Sequence, residues 1–255
     1  MPNMISRRKF LVESTLTAGA LALGTGAIAR GKPKSVLVWS EGSAPKNIYP
    51  NDINGAIAEG LAPLKGWTIS KASLTDPDHG ISDATLDNLD VIIWWGHLHH
   101  GDVRDDRADA VVQRVKAGKL AFIGTHSAHW SKPFTRLMGT SCNWEKGYHE
   151  DGSKLDVKVM LPKHPIAHGV HDFVVPHTER YGEPLIAPAP EALVFDGLYT
   201  LPDGTTEQSR QGMIWTVGQG KVFYFQPGHE SYPIYFQEEI RKVFRNGVEW
   251  CGRKR

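Results

Sequence analysis

The chain has 255 residues, 40% of them hydrophobic and 22% charged. That length can bury a sizeable core, and the mixture is that of a globular protein rather than a disordered or fibrous one. With 29 basic and 28 acidic residues the net charge is +1 and no long run of one sign occurs, so neither nucleic acid nor an anionic membrane is favoured as a partner.

From the N-terminus, Ser6-Arg7-Arg8-Lys9-Phe10-Leu11 precedes an uncharged stretch from Ser14 to Ala29 that ends in Ala27-Ile28-Ala29. Paired arginines, a mild apolar region and an A-x-A exit make a twin-arginine export signal over residues 1–29. The apolar stretch is too short and Gly-rich for a membrane span. The expectation is a mature domain over residues 30–255 in the periplasm or another extracytoplasmic space, with no membrane partner after cleavage.

The mature part then alternates. Ser35 to Ser40 is a short β-branched apolar run, read as a buried strand. A loop rich in Gly, Pro and Asn leads to a helix carrying Ile53, Ile57 and Leu61, which stops before Pro63. Trp67 to Ala72 is a second strand, Leu86 and Leu89 mark a short helix, and Asp90 to Trp95 is the most apolar strand. Val103 to Ala117 is helical with Gly118 as a stop, Leu120 to Gly124 is a fourth strand, and Phe134 to Met138 is a helical turn. This pattern predicts an α/β fold, a parallel sheet with helices on both faces. From Leu155 the texture becomes strand-rich and loop-rich, with runs at 157–161, 173–175, 193–195, 212–217 and 221–225. Ile234 to Trp250 closes the chain as an amphipathic helix.

Open α/β sheets bind ligands beyond the carboxyl ends of their strands, and the histidines fall there. Gly96-His97 leaves the third strand, His126-Ser127-Ala128-His129 the fourth, and Pro227-Gly228-His229-Glu230 the last. Tyr181-Gly182-Glu183 adds a carboxylate. Imidazoles and a carboxylate from separate loops suit a divalent metal, zinc first, with a position left open. The same imidazoles also suit general acid–base work near neutral pH. His79, His99, His149, His164, His168, His171 and His177 read as scattered surface residues. Ser127 follows a strand-to-helix elbow but lacks the second Gly of G-x-S-x-G. Cys142 and Cys251 read as two separately placed thiols, with nothing to bring them into a disulfide. No G-x-G-x-x-G or G-x-x-x-x-G-K-[ST] cradle occurs. Trp39, Trp95, Trp130 and Tyr181 crowd the same exits, where a flat ring could floor a sugar site and where core packing explains any one of them equally well.

Several blocks together resemble the ThuA-like (trehalose utilisation) family. They include Asn54-Gly55-Ala56-Ile57-Ala58-Glu59-Gly60, Asp90 to His97, His126-Ser127-Ala128-His129, Leu137 to Asn143, Tyr181-Gly182-Glu183-Pro184 and Pro227 to Pro233. Ala128 and Gln226 depart from residues usual there. The resemblance implies a class I glutamine amidotransferase-like, flavodoxin-like fold without that fold's cysteine nucleophile. It also implies a role in disaccharide catabolism, beside a sugar-oxidising dehydrogenase that supplies 3-keto sugars.

The expected function is a metal-assisted enzyme acting on keto-glycosides or disaccharides by lyase, hydrolase or isomerase chemistry. His97, His129 and His229 are the expected metal ligands, and His126 and Glu183 the base and acid. Glu230 is expected to orient His229, and Trp39, Trp95, Trp130 and Tyr181 to bind sugar. A non-catalytic sugar-binding protein and a metal-free hydrolase remain alternatives, and a homo-oligomer stays open.

Overall fold

A computed structural model of the protein describes residues 33–252, so the export signal read at residues 1–29 lies outside the described residues. The first elements are β1 (Lys34–Ser40), α1 (Asp52–Leu61), β2 (Trp67–Ser73), α2 (Asp83–Leu86), β3 (Val91–Trp95), α3 (Asp105–Lys116) and β4 (Ala121–Thr125). Then come α4 (Lys132–Met138), β5 (Tyr148–His149), β6 (Lys154–Val159), β7 (Phe173–Val175) and β8 (Arg180–Tyr181). The last are β9 (Ala192–Thr200), β10 (Thr206–Val217), β11 (Gly220–Phe225) and α5 (Glu238–Cys251).

Nine strands form one sheet in the order β2-β1-β3-β4-β11-β10-β9-β6-β7. The first five are parallel, and the rest join antiparallel. β5 and β8 form a separate ribbon. In the parallel half, side chains alternate between two cores. Val36 and Val38 pack with Ile53, Ile57, Val243 and Phe244 under α1 and α5. Leu37 and Trp39 pack with Val111, Val115, Phe134 and Leu137 under α3 and α4. Both faces are therefore covered, as the continuous apolar strands predict. Cys251 belongs to the first core and Cys142 to the second, and both thiols are free and buried.

The antiparallel half begins at a two-residue hairpin, where Val217 pairs with Gly220. Gly218 takes φ +62, and a Cβ there would meet the Lys116 carbonyl oxygen at 2.4 Å, so only glycine closes this turn. β9 and β10 run longer than their apolar runs suggest. The extra residues of β10 are polar, those of β9 are mixed with Leu198 exposed, and ladder pairing rather than hydrophobicity extends both strands. The C-terminal helix is also shorter at its start: Ile234–Phe236 is a separate 3-10 turn, and extended Gln237 separates it from α5. Among the described residues no helix is long and apolar enough to cross a membrane.

The sheet sets the site through register. Ser40 lies opposite Trp95, Trp94 opposite Gly124, and Thr125 opposite Phe225. Four parallel strands thus end level, and Glu41, His97, His126 and the loop to His229 leave the same edge.

Candidate functional site

β4 ends at Thr125, and the chain turns at once into a 3-10 helix, His126–Trp130. His126 is the apex of that turn, with φ +51. A non-glycine residue there carries a conformational cost of about 1–3 kcal/mol, which is repaid by what the side chain and backbone touch. Its imidazole is fully buried. Nδ1 donates to the Gln226 carbonyl at 3.1 Å, and Nε2 lies 2.9 Å from Glu179 Oε2 and 3.0 Å from the Tyr181 hydroxyl. The Tyr181 ring stacks on it at 4.7 Å, and Tyr224 donates its hydroxyl to the His126 carbonyl. Gly228 makes the close approach from the other side. A Cβ there would lie 2.3 Å from the Tyr235 hydroxyl and 2.6 Å from His126 Cβ. Elbows of this kind display a nucleophile at the apex. Here the apex holds an imidazole, and Ser127 sits one place beyond it.

His97 enters from β3. Its loop is held by Glu41, whose buried carboxylate accepts the backbone N–H groups of His97, Leu98 and His99 at 2.7–3.0 Å. Burial alone would raise this carboxyl, but the Ser43 hydroxyl and the three N–H groups hold it below its ordinary range. His97 Nδ1 is 2.8 Å from Ser127 Oγ, and Nε2 is 3.4 Å from Glu230 Oε1. Ser127 Oγ in turn lies 2.9 Å from the Tyr181 hydroxyl. An unbroken polar chain therefore runs from Glu230 through His97, Ser127, Tyr181 and His126 to Glu179.

The two ends of that chain differ in their hold on a proton. Burial pushes the Glu230 carboxyl up, nearby Glu179 adds to the rise, and His97 and His126 only partly oppose it. Its Oε2 is buried without a hydrogen-bond partner. Glu179 is as deeply placed, yet the His126 hydrogen bond and the imidazoles of His126, His229 and His97 outweigh burial and bring it down to about 2. His229 lies between them, with Nε2 3.7 Å from both Glu179 Oε2 and Glu230 Oε2. Burial, with His126 and His97 nearby, lowers its pKa to about 3, so it is neutral. The Ser231 N–H donates to its Nδ1 at 3.1 Å, so the ring hydrogen sits on Nε2 and faces the carboxylates.

The expected residues are only partly brought together. His97, His229 and Glu230 form one group of donor atoms close enough for a metal, and His126, Glu179 and His229 form another. His129 joins neither: its Nδ1 donates to the Cys142 carbonyl at 2.8 Å, and its ring packs on Tyr181 and Trp130. Glu183 is also elsewhere employed. Arg210 grips both of its oxygens at 2.9 and 2.8 Å, and the Leu185 N–H donates to it as well. Trp39 is buried against Trp94 and donates to the His79 carbonyl, and Trp95 is fully buried, so neither offers a face to a sugar. Tyr181 is buried with its hydroxyl in the cluster, and Trp130 is partly exposed against the His129 ring.

Glu179 and Glu41 escape sequence reasoning. Glu179 belongs to a short extended segment and shares a side with Tyr181 two residues on, which was the available signal. Glu41 follows β1 at the binding edge, but nothing in one sequence shows that its oxygens meet a loop 56 residues away.

The fold and this cluster define a flavodoxin-like, class I glutamine amidotransferase-like protein whose elbow carries histidine. The family profile for trehalose utilisation, ThuA, matches residues 35–251, and the chain belongs to that family. A ThuA-like protein from Bacteroides uniformis superposes with TM-score 0.61 at 16% identity, covering 88% of this chain and 93% of the other. A ThuA-like protein from Parabacteroides merdae gives 0.64 at 11%, covering 86% and 89%. PurLQS from Thermotoga maritima gives 0.51 at 15%, covering 86% and 99%. At these identities the likeness shows the fold alone. No curated protein matches the sequence.

Proposed function

We propose that the protein is a sugar-processing enzyme of trehalose or related disaccharide utilisation, working by acid–base chemistry at the histidine–carboxylate cluster. One observation carries this reading. Two carboxyl groups joined by a polar chain have surroundings that drive their proton affinities apart, Glu230 up and Glu179 down. That separation is how one site holds an acid and a base at the same pH.

Glu230 and His97 are the partly exposed members and meet the substrate. His126 and Glu179 lie beneath them as a buried, hydrogen-bonded pair. On a keto-sugar, a proton leaves the carbon beside the carbonyl for His97. It passes by Ser127 and Tyr181 toward the His126–Glu179 pair. Glu230 delivers a proton to the departing glycosidic oxygen, which gives elimination. Water addition makes the outcome a hydrolysis, and return of the proton to the neighbouring carbon makes it an isomerisation. Glu183 has no part in this, because Arg210 holds it as a carboxylate.

A second reading adds a divalent metal, zinc first, on His97, His229 and Glu230. The unpartnered buried oxygen of Glu230 favours it. Two imidazoles and a carboxylate are a fitting donor set, and a bound ion would polarise a sugar carbonyl. Binding at His229 Nε2 requires the ring hydrogen to move to Nδ1, where Glu150 Oε1 at 3.7 Å replaces the Ser231 N–H as partner. The twin-arginine pattern supports action outside the cytoplasm, downstream of a dehydrogenase that installs the ketone.

The test is turnover of 3-keto trehalose followed by NMR, beside elemental analysis of the purified protein. Glu230→Gln should lower kcat by about 100-fold or more, within the range for loss of a general acid. Full turnover in that variant would end the acid–base reading. Stoichiometric zinc lost in His97→Ala would establish the metal, and activity unchanged by chelator would remove it.

A further inference from the structure

Among the exposed large apolar side chains of the described residues, Trp130 and Tyr148 meet each other one ring beyond His129. Trp130 is 36% and Tyr148 58% exposed. Their rings lie 5.3 Å apart at 89°, so they form an open corner. The corner is built rather than incidental. Trp130 Nε1 donates to Asn143 Oδ1 at 2.6 Å, which fixes the indole. Tyr148 lies directly opposite Tyr181 in the β5–β8 ribbon. Cross-strand partners project from the same face, so the exposed Tyr148 points to the side on which buried Tyr181 reaches the cluster.

The corner is also continuous with the cluster. The His129 ring lies 4.9 Å from Trp130 and 5.1 Å from Tyr181, and Tyr181 stacks on His126 at 4.7 Å. This gives His129, which joins no group of metal donors, a structural use. It packs between the corner and the cluster, and burial keeps it neutral with a pKa of about 3.

We infer that the Trp130–Tyr148 corner is a subsite for the second pyranose ring of a disaccharide. The non-reacting ring rests its apolar C–H face on the aromatic corner and keeps its hydroxyls in water. The reacting ring lies over His97 and Glu230. Aromatic rings with a polar edge suit such half-wet contacts. The identity of the reacting ring rests on the proposed function, but the subsite does not need the chemistry. It selects two-ring over one-ring sugars by binding energy.

Isothermal titration of the unaltered protein with trehalose and with methyl α-glucoside tests this, since neither probe carries the ketone and neither is turned over. Trehalose should bind about tenfold tighter than the one-ring sugar, in line with one good aromatic contact. Trp130→Ala and Tyr148→Ala, each checked for native circular dichroism, should erase most of that advantage. Tyr148→Phe should keep it, because the ring and not the hydroxyl is used. Equal affinity for the two sugars, an advantage that survives both alanine variants, or no saturable trehalose binding would overturn the subsite. A protein that binds trehalose through the corner but never turns over the 3-keto sugar would retire the catalytic reading and leave the subsite standing.

Discussion

The two halves of the sheet are built by different rules and contribute differently to the site. Four neighbouring strands of the parallel half end level at one edge, and three of them release His97, His126 and His229 there. Their loops are pinned by backbone contacts, with Glu41 under the His97 loop and Gly228 against His126. The antiparallel half supplies no strand end to the cluster. It sends one excursion, the segment around Glu179 and Tyr181, which lies over the histidines and completes them. Position therefore comes from the parallel half, and charge balance from the excursion.

That division is open to attack, and the largest effect should come from the contact between halves. Glu179→Ala takes from buried His126 the carboxylate 2.9 Å from its Nε2, and leaving a buried group without such a partner costs up to about 3 kcal/mol. Urea unfolding should show that loss. A change below about 1 kcal/mol would mean that the excursion merely rests on the site. Glu41→Ala attacks the parallel half alone. Three N–H groups lose their acceptor, and the expected loss is about 2 kcal/mol together with a displaced His97. Nuclear magnetic resonance should then show the His97 ring shifted while the Tyr181 signals stay in place.

Acid should divide the halves in order. His129 and His229 are buried neutral, with pKa values lowered to about 3 chiefly by burial. A lowered histidine pKa means that the unfolded chain takes the proton first. Its contribution to stability is complete above about pH 6.5 and shrinks as pH falls toward 3. Glu179, lowered to about 2, contributes above its ordinary carboxylate range, near 4.5, and is lost only below it. Stability should therefore fall first between pH 6.5 and 4.5 through the histidines, and then more steeply as the carboxylate is protonated. His129→Phe should flatten the first limb. A flat profile from pH 7 to 5 in the unaltered protein would show that these rings are not held neutral.

The smallest effect belongs to Glu183. Its pair with Arg210 is partly exposed, so Glu183→Gln should cost about 1 kcal/mol or less. Turnover should change by no more than about threefold if this residue is a clamp rather than an acid. A loss as large as that in Glu230→Gln would return it to the site.

Much of this architecture is legible along the chain because local rules dictate it. Val36-Leu37-Val38 and Val91-Ile92-Ile93 are β-branched apolar runs that cannot remain in water. The helices between them carry one apolar stripe, and a parallel sheet then brings every strand exit to one edge. That logic places His97, His126, His229 and Glu230 at one edge, where the structure brings them together. It failed where residue type without partners is ambiguous. A tryptophan beside a strand end reads the same whether it faces a core, as Trp39 and Trp95 do, or is partly exposed, as Trp130 is. A carboxylate near an aromatic reads the same whether it is gripped by arginine, as Glu183 is, or by histidine, as Glu179 is.

The sequence by itself determined the alternation of strands and helices in the first half, its parallel sheet and the family, because these follow from periodicity and from residues close in the chain. Only the tertiary structure decided which imidazoles face one another and which carboxylate holds them. It also set where each proton is held. Those depend on burial and on contacts between residues 30 to 133 positions apart, such as Ser127 with His97 and His97 with Glu230. Hydrogen bonds and desolvation act over a few ångströms in space, whatever the distance along the chain.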